Sequence, residues 1–273
     1  MDIMAIIGLI AAAGLLLYGI SDGGSIDSFI SSGPAAVAFG GTFAALMIAF
    51  PVKMFASLPK LLLKIFFPRI YNFDPQRFIS EIEGFAAEAK KNGLLGIEEK
   101  VEGCKDGFMR KGLQLAVDSE EPKIIREIME SEFAHMAERH KSEILFFEKG
   151  AVYAPGFGFL GTLSGLVNVF AGSEDQIGMN SAIAAALIAT FYGLIMSNII
   201  FLPLSVKLRK RNEAEALCGQ IAIEGAVSIA KGESPKQIRE KLLERIPPLM
   251  RKPDKIKLSD KSDTKDNKRI KNK

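Results

Sequence analysis

Lysine and arginine are missing from two long stretches of this 273-residue chain. None occurs from Met1 to Val52 and none from Ala151 to Val206, so all 35 fall in 53–149 and 207–273. Hydrophobic residues make up 48% of the chain and mean hydropathy is +0.17. Two base-free apolar blocks alternating with two charged blocks exclude a soluble globular protein and describe an integral membrane protein. Cysteine is nearly absent. Cys104 and Cys218 both lie in charged blocks without CxxC or zinc spacing, which reads as free, reduced cytoplasmic thiols. The two histidines, His135 and His140, are five residues apart on different helix faces, so no metal site is expected. No basic segment precedes the first apolar run, which argues for a retained span rather than a cleaved signal peptide. There is no nucleotide loop and no catalytic constellation. The expectation is a protein that is not an enzyme, holds no cofactor and binds no nucleic acid.

The apolar runs set the fold class. A membrane-crossing helix needs about 20 apolar residues, and four fit, over 2–21, 33–52, 150–171 and 178–205. The connections "SDGGSIDSFISS" and "AGSEDQIGMN" are acidic and free of base. Basic residues mark the cytoplasmic side, which places both loops outside and both termini inside. The expected fold is an all-α integral membrane protein of four transmembrane helices, with a large helical cytoplasmic domain between the second and third. The expected organisation is 1–52 for the first two spans, 53–149 for an interface helix and the cytoplasmic domain, and 150–206 for the last two spans. Cytoplasmic C-terminal helices follow over 207–248 and a basic, disordered tail over 249–273.

The inner segments read as helices throughout. In 51–70, Lys53, Lys60 and Lys64 punctuate Leu, Ile and Phe, as in a helix lying at the bilayer surface, with Pro68 ending it. Asp74-Pro75 caps a helix with the apolar stripe Phe78, Ile82, Phe85 and Ala89, stopped by Asn92-Gly93. Short helices are expected over 97–103 and 106–117. Glu121-Pro122 opens a long helix that can run straight into the third span. The fourth span continues as an amphipathic helix to Gly232, and Ser234-Pro235 begins a last helix that stops at Pro247-Pro248.

One stretch departs from what a lipid-filling helix needs. "APGFGFLGTLSGLVNVF" (154–170) carries a proline and four glycines among apolar residues. Pro155 cannot donate to the carbonyl of Ala151, which weakens the inner end of the third helix, and membrane helices tolerate this where a neighbour satisfies the freed group. Gly161 and Gly165 form a GxxxG pair that admits another helix closely. Thr162 shares a face with Pro155, roughly 18 Å into the span. Thr190 lies at similar depth on the returning helix, with Ser197 on its face. Pro203 sits near the inner end of the fourth span, although ideal periodicity puts it on a different face from Thr190. Taken singly, each is what helix packing alone would use. None of the four spans holds an Asp, Glu, Lys, Arg or His in its interior. A chain moving ions through these spans therefore needs a carboxylate from a partner helix.

"AVYAPGFGFLGTLSGLV" and "AIAAALIATFYGLIMSNIIFLPLSVKL", with the inner "AKKNGLLGIEE", "ERH" at 138–140 and the late "EGAVSIAKGESPKQI", resemble the bacterial flagellar stator A-subunit family, MotA and its sodium-type relative PomA. The resemblance covers nearly the whole chain. It implies a stator subunit of the bacterial inner membrane, a homopentamer around a dimer of a MotB/PomB-like B-subunit. The B-subunit's single span would carry the ion-binding Asp, and H⁺ or Na⁺ flow would turn the ring against the rotor protein FliG. By the same resemblance Pro155, Pro203, Thr162 and Thr190 fall on the ion pathway, and Lys90 and Glu98 on the rotor-facing pair. The family more often has Arg at the first of that pair; Lys keeps the charge and loses the fork. Hydroxyls at both threonine positions lean towards sodium. The alternatives are an energiser of the ExbB/TolQ type, disfavoured by its single span before the inner segment, and a passive membrane scaffold. "GTLSG" superficially resembles a serine-protease motif, but no histidine lies in any span to act as base.

Overall fold

The computed structural model describes residues 3–23, 25–66, 73–171 and 176–248. The expected stop at Pro68 and the basic tail beyond 248 lie outside them. Among the described residues all regular structure is helical. Helix α1 runs Ile3–Gly23 and α2 Ser32–Ala49, with a wide π turn at Ala36–Gly40. They are followed by α3 (Val52–Phe66), α4 (Pro75–Asn92), α5 (Glu98–Glu102) and α6 (Gly107–Val117). Helix α7 is Pro122–Phe170 and α8 is Gln176–Ile195, joined through a second π turn at Met196–Phe201 to α9, Leu202–Ala230; α10 is Pro235–Glu244. Among the described residues, four helices are long and apolar enough to cross a membrane.

Local chemistry explains the helix ends. Asp74 accepts from the Gln76 amide at 3.0 Å, Asp106 from Met109 at 2.8 Å, and Ser234 forms a capping box with Gln237, each ahead of its helix. Gly93, at φ 76°, closes α4 in the left-handed region that glycine reaches without strain. The short helix expected over 97–103 is tighter. A 3₁₀ turn, Leu95–Ile97, precedes α5, because Ile97 must turn inward to the core.

Helix α7 is 49 residues long, roughly 74 Å at 1.5 Å per residue and more than twice a 30 Å hydrocarbon layer. Its first half belongs to the charged block and its second half to the third span. Most of the cytoplasmic core is formed by α4, α6, α9 and α10, through Phe78, Ile82, Leu113, Ile221, Ile238 and Leu242. A second apolar cluster lies where the apolar and charged blocks meet. There Phe50, Phe55, Phe146, Phe147 and Phe201 form a chain of ring contacts with centroids 5.2–6.4 Å apart. Helix α3 contributes Leu61 and Ile65 to it and leaves Lys53 and Lys60 exposed, as an interfacial helix would. No residue of Met4–Asp22 is buried, so α1 turns its apolar surface outward.

Candidate functional site

Helices α7 and α8 meet backbone to backbone. A Cβ added at Gly158 would lie 2.9 Å from the Ala189 carbonyl, and one at Gly193 would lie 2.5 Å from the Ala154 carbonyl. Backbone therefore meets backbone, which only glycine permits. Gly161 and Gly165 face Ala189 and Ala186 of the same helix. The small-residue stripe is thus taken up within the chain, by α8.

This approach brings Thr162 and Thr190 together. Their hydroxyls are in contact with each other. Thr162 Oγ1 also lies 2.9 Å from the Ala186 carbonyl and 3.3 Å from that of Gly158, and Thr190 Oγ1 lies 3.5 Å from the Gly158 carbonyl. Two hydroxyls and two carbonyls carry two protons among four oxygens, so lone pairs outnumber donors. The patch is uncharged, oxygen-rich and half-buried. Such a set can accept a proton donor or weakly hold a cation.

Pro155 stands seven residues below Thr162 in α7. The carbonyl it deprives, Ala151, is not left unpaired: Ser197 Oγ donates to it at 2.7 Å from the π turn after α8. Pro203 lies elsewhere. It is exposed and lines a groove of about 320 Å³ with Ala5, Gly8 and Ala12 of α1 and with Lys207. The structure therefore joins Thr162 and Thr190 at one contact, leaves Pro155 two turns away along α7, and sets Pro203 in a separate groove, off the Thr190 face as periodicity implied.

Lys90 closes α4 and Glu98 opens α5, at the ends where each sign is favourable. Both are exposed, and neither forms an ion pair among the described residues. Their neighbours Glu88 and Lys100 do pair with each other. Leu95, between them, is 75% exposed.

Residues 100–218 match the profile of the MotA/TolQ/ExbB proton channel family. The chain is 32% identical to Motility protein A of Treponema phagedenis, over 89% of this chain and 93% of that one. It is 30% identical to the chemotaxis protein PomA of Vibrio alginolyticus, over 87% of its own length and 92% of the relative's. The chain belongs to the MotA/TolQ/ExbB family. Its fold matches the flagellar MotAB stator complex from Bacillus subtilis with a TM-score of 0.79 at 29% identity, over 90% of this chain and 95% of that one. The fold of C. jejuni MotAB is similar too, at TM-score 0.82 and 22% identity, over 91% and 97% of the two chains.

Three features of this MotA-type fold were not foreseen from sequence. Glu224, only 3% exposed, binds Arg126 of α7 at 2.9 Å, Lys241 of α10 at 2.8 Å and Arg245 at 2.7 Å. Burial pushes its carboxyl up, but hydrogen bonds from Lys241 and Arg126 outweigh burial and hold it at about 2. Tyr192 of α8 ties down the loop between α1 and α2: its hydroxyl contacts the Phe29 carbonyl and accepts from the Ser31 amide at 3.2 Å. Ser197 was placed on the Thr190 face, but its partner was not foreseen. The only signal for it was the carbonyl that Pro155 frees. Burial also pushes both thiols up, Cys218 to about 12, so both stay protonated.

Proposed function

We infer that this chain is a flagellar motor stator subunit that forms an ion channel with a B-subunit and converts transmembrane ion flow into rotor rotation. The observation that carries this reading is the match along nine-tenths of the chain to a MotAB stator complex, in a chain whose own spans contain no Asp, Glu, Lys, Arg or His in their interiors. A channel without a carboxylate needs one from outside, and a partner helix is the simplest source. The finer reading is a homopentameric ring around a B-subunit dimer in the bacterial inner membrane, with both termini in the cytoplasm. In it, H⁺ or Na⁺ passes Thr162 and Thr190, Pro155 and Pro203 give flexible inner ends, and Lys90 and Glu98 engage the rotor protein FliG.

An ion crossing at 100 mV releases about 2.3 kcal/mol. Each site on its path must therefore be weak enough to empty, and hydroxyls beside one partner carboxylate suit this better than a second fixed charge. Thr162→Val and Thr190→Val keep nearly the same volume and remove the oxygen. Each is expected to slow or stop rotation while the ring still assembles with its B-subunit, more severely if sodium drives the motor. Rotation speed against external sodium at fixed proton-motive force checks this; full speed in both variants at low and high sodium would overturn the threonine assignment. Ion flux in liposomes is expected only when the B-subunit is co-reconstituted.

A further inference from the structure

Two irregularities face each other at the inner half of the α7–α8 contact. In α7, Pro155 removes the amide that would bond the Ala151 carbonyl. Opposite it, the backbone widens into the π turn Met196–Phe201, a form of helix found mostly as single turns and often at functional sites. One side chain joins them: Ser197, buried inside that turn, donates to the Ala151 carbonyl at 2.7 Å. A serine in a helix also has a second acceptor within reach, the carbonyl one turn back on its own helix. Its hydroxyl can thus leave Ala151 without being stranded in an apolar interior. The Ala151 carbonyl has no such alternative while residue 155 is proline.

We propose that Ser197 is a positioning residue of the ion path, a hydroxyl latch that substitutes for the hydrogen bond Pro155 deletes and sets the register of α7 on α8. Thr162 lies two helical turns beyond Pro155 on the same face, and its contact with Thr190 depends on that register. Closed, the latch holds the two threonines together. Released onto its own helix, it frees the inner end of α7 to bend at the proline. The proposal rests on reading Thr162 and Thr190 as part of the ion path.

A double-mutant cycle with Pro155→Ala tests it in the complete complex with the B-subunit. Alanine at 155 restores the amide to the Ala151 carbonyl and makes the Ser197 hydroxyl redundant. Ser197→Ala alone is expected to lower the melting temperature of the solubilised complex by about 2–4 °C and to reduce ion flux. In the Pro155→Ala background it is expected to lower melting no further. Ser197→Thr, which keeps the hydroxyl, is expected to recover flux. Equal losses of melting temperature in both backgrounds would show that the hydroxyl serves something other than Ala151, and would overturn the latch. A non-additive cycle with undiminished flux in Ser197→Ala, while Thr162→Val stops the motor, would reduce the bond to packing and overturn the positioning role. If Thr162→Val and Thr190→Val both conduct normally, the ion-path reading fails and the proposal with it.

Discussion

Along its cytoplasmic half, α7 packs through Ile125, Met129 and Phe133 onto α6 and α9, and Arg126 reaches the buried Glu224. Along its membrane half it packs through Gly150, Ala154, Gly158, Gly161 and Gly165, chiefly onto α8 and the π turn that follows it. One continuous helix uses opposite means of cohesion on either side of the bilayer surface. In water, burying large apolar side chains supplies the driving force. Inside lipid that force vanishes, because a neighbouring helix is no more apolar than the surrounding chains, and close backbone approach with local hydrogen bonds takes over. The membrane half is therefore intolerant of added volume, whereas the cytoplasmic half is sensitive to lost volume or lost charge. A contact made of small surfaces and exchangeable hydroxyl bonds is also one that can shift register, which suits a moving part.

The largest effect expected from this contrast is at Gly193. A side chain there would drive into the Ala154 carbonyl at 2.5 Å, and backbone cannot swing aside. Gly193→Leu is expected to abolish assembled protein in the membrane fraction, along with motility. Normal accumulation on immunoblots would break the comparison. The counterpart in the cytoplasmic half is milder. A Cβ at Gly219 meets the Phe133 ring at 2.7 Å, and a ring can turn, so Gly219→Ala is expected to cost about 1–2 kcal/mol and to leave the protein assembled.

Glu224 comes next. Its carboxyl is held at about 2 against an ordinary 4.5. A lowered folded-state pKa means that its contribution is complete above about pH 4.5, declines as pH falls below that value, and is lost once pH drops through about 2. Glu224→Gln leaves Arg126, Lys241 and Arg245 clustered without their shared anion. It is expected to destabilise the cytoplasmic region by about 3 kcal/mol at neutral pH and to flatten the acid limb of the melting profile. Equal acid sensitivity in variant and parent would show that other carboxylates carry it.

How much of this was legible in the sequence depended on the distance over which each feature is written. The break at Asn92-Gly93, the caps at Asp74 and Ser234 and the four long apolar helices are local, and each could be read from a few neighbouring residues. Glu224 lies in "IAIEGAVSIA", where it reads as a stray charge, because its Arg126 partner is 98 positions away. The π turns were invisible for another reason. One extra residue in a uniformly apolar helix leaves no mark on its pattern, although it decides that Ser197 meets Ala151. The small stripe on α7 was plain, but not that α8 of the same chain fills it. Stripe composition reports how close a neighbour comes, without saying which neighbour it is.

The smallest stability effect, and the sharpest separation of stability from function, is expected at Glu98. It stands exposed in the first turn of α5, unpaired among the described residues, and Lys90 stands exposed in the last turn of α4. Reversing either charge loses only a favourable interaction with a helix end, well under about 1 kcal/mol at an exposed site. Glu98→Lys and Lys90→Glu are therefore expected to leave membrane level, B-subunit association and melting temperature unchanged while impairing swimming. If Glu98→Lys cells swim normally, that residue does not face the rotor. The double variant distinguishes two geometries. Where each residue meets its own oppositely charged group on the rotor, the reversals add and swimming falls further. Partial recovery would instead show that the two charges meet a rotor surface whose alternating signs can be engaged in a shifted register.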